Sequence, residues 1–336
     1  MENFVRRKNQ GIPAFAGMTI LSIILITGTL LAEGSGGFAG SFLRVGLGAR
    51  GTAMGNAQVA SADNGFGMYY NPAGLSRLEK RQFALSYSSM SLDREFNFIG
   101  LSAPLPPFAG AAIGWINSGV GDLSALNSVG ENVGEINNGL NAIYGAFSMN
   151  MVKLLQMDGL LQNTRDDLIT IGIAVKFLRE GISDDEEFDY SGSGFGFDFG
   201  VMIRPVDQLT IGYQLKDVNA SLKSNTNDLF SRGIETENAF PTTQKAGVFF
   251  QTPVKNLAIA YDFEWNDKGT EKQHVGAEYL MDIAAIRAGY DTDHLTLGGG
   301  LIFHPFKSSS MILDYAFVGD VVDEGVSHIF SWRFLF

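Results

Sequence analysis

From Gln82 to its last residue the chain alternates apolar and polar side chains with a period of two, the period of extended strands, whose successive side chains point to opposite faces. Leu257, Ile259, Tyr261, Phe263 and Trp265 share one face, and Ala258, Ala260, Asp262 and Glu264 share the other. The division recurs in Phe195, Phe197, Phe199, Val201 and Ile203 against Gly194, Gly196, Asp198, Gly200 and Arg204. It recurs again in Leu209, Ile211, Tyr213 and Leu215 against Gln208, Thr210, Gln214 and Lys216. Alternation leaves one question open: a soluble sandwich buries its greasy face, whereas a membrane wall exposes it.

Three features favour the membrane wall. About fourteen such segments run from 81–90 to 326–336, an even count of the kind single-chain barrels use. Their connections alternate in kind. Compact ones carrying proline, at 104–107, 205–208, 253–255 and 305–308, alternate with polar ones at 118–138, 180–192, 219–240, 266–272 and 319–325. Proline lacks a backbone donor and suits the point where a strand leaves its ladder; tight turns at one rim and longer loops at the other are how such barrels are built. The connection 152–165 departs from this rule. Its Leu154, Leu155, Leu160 and Leu161 fit a short amphipathic helix at the membrane surface or a plug against the barrel floor. Third, in the terminal strand His328, Phe330, Trp332, Phe334 and Phe336 form one greasy parity up to the chain end. Exposed, that strand would be an unprotected edge; pairing it with the first strand removes the edge. Phe330, Trp332, Phe334 and Phe336 resemble the signal read by the outer-membrane insertion machinery. The fold expected is an all-β transmembrane antiparallel barrel in the outer membrane of a Gram-negative bacterium, with the lipid bilayer and that machinery as partners.

Charge and composition narrow the function. The net charge of -12 argues against a nucleic-acid partner, which needs a basic stripe. The absence of cysteine removes thiolate metal sites and cysteine nucleophiles. The four histidines, His274, His294, His304 and His328, stand at no metal-ligand spacing, so no catalytic residue, metal or cofactor is expected. The acidic run of Asp184, Asp185, Glu186, Glu187 and Asp189 lacks the spacing of a calcium loop and reads as a solvated hairpin. Arg6, Arg7 and Lys8 precede the apolar stretch Ile20 to Leu31, which is too short for a membrane-spanning helix and fits a signal peptide over 1–32, with Met1 or Met18 as the start.

Between that signal and the first strand lies a glycine-rich segment, 33–80. Asn71 followed by Pro72 is a helix start with a physical basis, an Asn cap and proline at the first helical position. The stretch Phe42 to Arg50, then Ala53 to Ala57, then Tyr70-Asn71-Pro72-Ala73-Gly74-Leu75, resembles the PorV/PorQ group of outer-membrane proteins within the FadL-like class. The resemblance implies fourteen strands over 81–336 and an N-terminal hatch over 33–80 carrying the motif Asn71, Pro72, Ala73 and Gly74. It also implies a non-enzymatic role, and the role expected is a secretion-associated one of type IX kind, with exported proteins bound or attached at the cell surface. The alternative is FadL-like passive uptake of hydrophobic small molecules, leaving through a kinked strand. Phe38, Phe42, Met54, Phe66, Met68 and Tyr69 are expected to pack the hatch or line a ligand pocket. Arg44 and Arg50 are expected to pair with the luminal carboxylates Asp262, Glu264 and Glu278.

Overall fold

The computed structural model describes residues 38–184, 189–225, 233–306, 308–319 and 325–336. The expected signal, 1–32, and Asp185, Glu186 and Glu187 of the acidic run lie outside the described residues. Fifteen strands form one antiparallel sheet: β1 (Gln82–Met90), β2 (Arg94–Leu105), β3 (Ala109–Leu126), β4 (Asn132–Asn150), β5 (Ile169–Ser183), β6 (Asp189–Val206), β7 (Leu209–Asn225), β8 (Glu235–Ala239), β9 (Thr243–Gln251), β10 (Leu257–Asn266), β11 (Glu271–Leu280), β12 (Ala284–Asp291), β13 (His294–Phe306), β14 (Ser309–Val318) and β15 (Ser327–Leu335). The sheet closes because β1 pairs with β15, Gln82 opposite Leu335 and Tyr87 opposite Phe330. Strand β7 pairs with β9 over Leu209 to Lys216 and with β8 over Ser221 to Asn225. Two segments thus share one place in the wall, and fifteen strands make a closed barrel of fourteen positions. The strand expected over 241–252 is β9, and β8 lies in the polar connection expected over 219–240.

Side-chain exposure answers the question that alternation left open. Ile99, Ile113, Trp115, Ile143, Phe177, Phe195, Leu301 and Phe330 are 40–61% exposed, while Tyr144, Ala174, Lys176, Asp198 and Asp262, of the opposite parity, are buried. An apolar outer band this extensive is matched to hydrocarbon rather than to water. No helix among the described residues is long and apolar enough to cross a membrane, so the crossing belongs to the strands.

The two rims differ as the turn chemistry requires. At the short-turn end Pro104 and Pro205 stand within the last residues of β2 and β6, where a missing N–H costs no ladder bond. At the other end the described parts of the connections 118–138, 180–192 and 219–240 are largely strands rather than loops. Strands β3 and β4 have 18 and 19 residues and stay paired as far as Leu126 and Asn132. Crossing a bilayer takes only about 9–11 residues. The surplus stands clear of the membrane as a two-stranded ribbon. The exceptional connection begins with helix α1 (Met151–Met157), capped by the Asn150 side chain. Val152 is buried, whereas Met157, Leu160 and Leu161 are exposed, so the segment folds against the rim and does not fill the floor.

Residues 38–81 run inside the lumen as short helical turns, Ser41–Arg44, Ala49–Ala53, Gly67–Tyr70 and Pro72–Arg77. At the seam, the Phe336 N–H donates to the Arg81 carbonyl at 3.0 Å, so the last residue is tied to the strand that closes on it. The folded protein is expected to migrate faster before heating than after it on a denaturing gel, and deleting Phe336 should lower the folded fraction. A Phe336 deletion that assembles at the parental level would separate the terminal residue from barrel closure.

Candidate functional site: the hatch, its seat and the interrupted wall

The hatch has little regular secondary structure, so its backbone donors and acceptors need partners from the wall. Inward polar side chains supply them around the circumference. Gln82 of β1 accepts from Gly65 N–H at 2.9 Å, Ser148 of β4 from Ser76 N–H at 3.2 Å, and Asp262 of β10 from Val59 N–H at 2.9 Å. Thr296 of β13 accepts from Gly55 N–H at 3.2 Å, Ser331 of β15 accepts from Ala49 N–H at 2.7 Å, and Gln214 of β7 donates to the Tyr69 carbonyl at 3.0 Å.

The motif residues occupy the tightest part of this seat. Asn71 Oδ1 accepts from Ala73 N–H at 3.1 Å and caps the turn that Pro72 begins. Its Nδ2 donates to the Val59 carbonyl at 2.7 Å and lies 3.2 and 3.4 Å from the carbonyls of Val201 and Tyr213, on adjacent wall strands. Wall backbone can come this close because the opposing positions are glycine. A Cβ at Gly200 would lie 2.0 Å from Asn71 Oδ1, and one at Gly172 would lie 2.4 Å from the Pro72 carbonyl carbon. A Cβ at Gly74 would lie 1.8 Å from the Ala62 carbonyl oxygen, which accounts for the motif's glycine.

The charges divide differently from the expectation. Arg50 meets Glu278 through two bonds of 3.0 Å, and Glu278 also receives Arg287 at 2.6 Å. Arg287 continues to Asp314 at 2.8 Å, and Asp314 to Arg333 at 3.2 Å, so one ionic chain ties the hatch to β11, β12, β14 and β15. Among the described residues Arg44 forms no ion pair; it donates to the carbonyls of Ala39 and Phe38 and closes its own turn. Asp262 holds a backbone N–H, as described, and Glu264 pairs with Lys245 at 2.8 Å, wall to wall. Of the five residues, Arg50 and Glu278 form an ion pair between hatch and barrel, and the Asp262 carboxylate reaches the hatch through a backbone N–H.

Phe42, Phe66, Met68 and Tyr69 enter one apolar cluster, together with the wall residues Phe96, Phe98, Ile116, Tyr144, Leu178 and Leu222. The rings of Phe66 and Phe98 are 5.4 Å apart. Met54 belongs to a separate small cluster with Ala57 and Ala260, and Phe38 is half-buried outside both. The wall contribution was missed from sequence, although β2 carries a signal for it. Phe96 and Phe98 hold one parity while Ile99 and Leu101 hold the other, so both faces of that strand are apolar.

This cluster lies beside the interruption in the wall. Between Phe199–Leu215 and Phe195–Ser221 the β6–β7 register shifts twice, and Asp217 and Asn219 take left-handed backbone angles, φ 63° and 51°. Buried Lys176 holds the bulge by donating to Asp198 at 2.7 Å and to Asp217, whose own N–H donates to Asp198 at 2.7 Å. Across the gap, Phe240 turns inward between β8 and β9. It is fixed by its N–H to the Ala220 carbonyl at 2.8 Å and packed on Gly40, where a Cβ would lie 2.1 Å from its ring. Below the hatch a polar cavity of about 680 Å³, lined by Arg50, Ser61, Arg77, Lys153, Arg204 and Asp207 among others, faces the short-turn end.

No protein-family model and no curated protein matches the sequence. Solved structures do match in fold. The Pseudomonas putida toluene transporter TodX aligns at a TM-score of 0.59 with 13% identity, covering 87% of this chain and 99% of its own. The Ralstonia pickettii toluene transporter TbuX aligns at 0.58 with 13% identity, covering 87% and 98%. A Pseudomonas aeruginosa FadL homologue aligns at 0.58 with 11% identity, covering 86% and 98%. At these identities the likeness is one of fold: the chain is a plugged fourteen-stranded barrel of the FadL architecture.

Gly200→Val places side-chain atoms where Asn71 sits and is expected to unseat the hatch, read as faster limited proteolysis within 38–80 and higher conductance in planar bilayers. Asn71→Ala should act in the same direction at a cost of roughly 1–3 kcal/mol, the penalty for leaving buried backbone groups unpaired. Glu278→Gln leaves Arg50 and Arg287 short of a counter-charge; a loss of roughly 3–5 kcal/mol is expected, measured as a lowered unfolding midpoint.

Proposed function

We propose that this chain is a non-enzymatic outer-membrane channel for passive entry of hydrophobic small molecules. The observation that carries this reading is the apolar luminal cluster, in which Phe96, Phe98, Ile116, Tyr144 and Leu178 face the hatch beside an interrupted wall strand. A lumen that conducts ions or sugars is lined by polar groups, and a lumen that only holds a plug has no need of a bulged wall beside its apolar patch. Apolar solute would partition into the cluster once the hatch turn at Ser41–Arg44 and Phe240 give way. The interruption between β8 and β9 then offers a sideways path to lipid, and the polar cavity under the hatch a path to the periplasm. Two of the solved structures of like fold are described as toluene transporters, which agrees with the same chemistry.

The secretion-associated role expected from the sequence drew on the resemblance over Phe42 to Arg50, Ala53 to Ala57 and Tyr70 to Leu75, and the solved structures of like fold support the alternative instead. No described contact adds to that role.

The test is uptake of a monoaromatic hydrocarbon and of a long-chain alkane by cells lacking other such channels, with and without the protein. Expression should speed uptake of at least one, and Phe240→Trp, which enlarges the stopper at the gap, should slow it without lowering the amount of folded barrel. Equal uptake in the presence and absence of the protein would overturn the reading.

A further inference from the structure

The outer face of β3, β4 and β5 carries a feature that solute passage does not use. Asn97, Asn117, Asn141 and Arg179 stand directly opposite one another on four successive strands, β2 to β5, all of outward parity. Immediately toward the long-loop end, the next outward level is Gly119, Gly139 and Gly181, again directly opposite one another. Three aligned residues without side chains leave a trough in the wall, and a cavity of about 330 Å³ lies there, bordered by Asn141, Arg179 and the two glycines 139 and 181.

The level of this trough follows from strand geometry. With a rise of about 3.3 Å per residue and a tilt of about 40°, Asn141 stands about 23 Å above Asn150 at the short-turn rim. The apolar band of an outer-membrane barrel is ~25 Å tall. Below the asparagines the outward residues are Ile99, Trp115, Ile143 and Phe177, 40–61% exposed; above them lies the ribbon that leaves the membrane. The row therefore marks the outer interface, where acyl chains end and headgroups begin.

Its polar groups are aimed. Asn141 Oδ1 accepts from the Trp115 indole at 3.0 Å and from Asn117 Nδ2 at 3.1 Å, which turns the Asn141 amide nitrogen the other way, over the trough floor. That nitrogen lies 3.8 Å from where a Gly139 Cβ would be. Arg179 is exposed at the trough's edge, and among the described residues no ion pair engages it. Donors fixed on one side, a guanidinium on the other, an indole beneath and a floor of bare backbone suit an oxygen-rich anionic group attached to a ring.

We propose that this trough binds the phosphorylated saccharide headgroup of an outer-leaflet glycolipid, with its acyl chains lying down the wall over Trp115, Ile143 and Phe177. The assignment rests on the outer-membrane placement in the functional reading but not on solute passage. The guanidinium takes the phosphate, the Asn141 amide takes sugar hydroxyls, and the glycine floor admits the ring.

The test uses the full-length protein in nanodiscs of phosphatidylethanolamine containing either lipid A, a diphosphorylated diglucosamine glycolipid, or phosphatidylglycerol, with the free phosphorylated disaccharide as a third arm. Bound ligand is counted by native mass spectrometry. The parent should retain lipid A in preference to phosphatidylglycerol and to the free disaccharide. Arg179→Gln should lower retention roughly tenfold, the scale of one charge-assisted contact. Gly139→Leu, whose added atoms enter open space and leave the fold intact, should abolish it. Variants holding as much lipid A as the parent would overturn the proposal. So would equal binding of phosphatidylglycerol, which marks an unspecific anionic surface, or equal binding of the free disaccharide, which marks a soluble-sugar site. Heat-dependent gel migration confirms that each variant is folded, and uptake assays on the same variants separate a failure here from a failure of the channel reading.

Discussion

Every backbone N–H and C=O in contact with hydrocarbon must find a partner within the protein, and for a sheet that is possible only if the first and last strands meet. Pairing of Gln82–Met90 with Ser327–Leu335 is therefore the condition on which the molecule depends. Once the wall closes it encloses a lumen, and a lumen of fourteen strands is too wide for its own side chains to fill. The hatch occupies that space, and the inward face is shaped to receive it: polar side chains where hatch backbone needs partners, glycines where hatch backbone presses on wall backbone, and one run of apolar residues on β2 to β7.

The interruption at β7 to β9 shows how a closed wall accommodates a local break. A bulge frees backbone groups that would be costly in lipid, and here they are engaged from inside: Asp217 N–H by Asp198, Phe240 N–H by Ala220. Lys176 between two carboxylates is a buried charge set kept for geometry, since its removal would strand Asp198 and Asp217 without a cation. The same elements that hold the break closed, Ala220 and Phe240 among them, belong to the apolar cluster, so the break and the cluster are one feature of the wall.

Much of this was legible in the residues. Period two in Leu257 to Trp265 specifies a strand without help from tertiary structure, and the greasy parity that ends at Phe336 specifies that the last strand must be paired. Which face met lipid could not be read from a single strand, because alternation has no sign. Ahead of Gln82, whether an arginine finds a carboxylate, as Arg50 does, or its own turn's carbonyls, as Arg44 does, depends on where the turn points. The wall's share of the apolar cluster was hidden for a related reason. Leu222 and Phe240 fall in the polar connection expected over 219–240, where no strand parity was assigned.

The hatch reaches both partners of the seam. Gly65 bonds to Gln82 on the first strand and Ala49 to Ser331 on the last, while the Ser331 hydroxyl itself donates to Ser86 across the junction at 3.1 Å. The two ends of the sheet are thus fastened twice, once by the ladder between them and once through a third body inside. Closure belongs to the segment ahead of Gln82 as much as to the last nine residues, and the stopper of this vessel is also one of the hoops that hold its staves together.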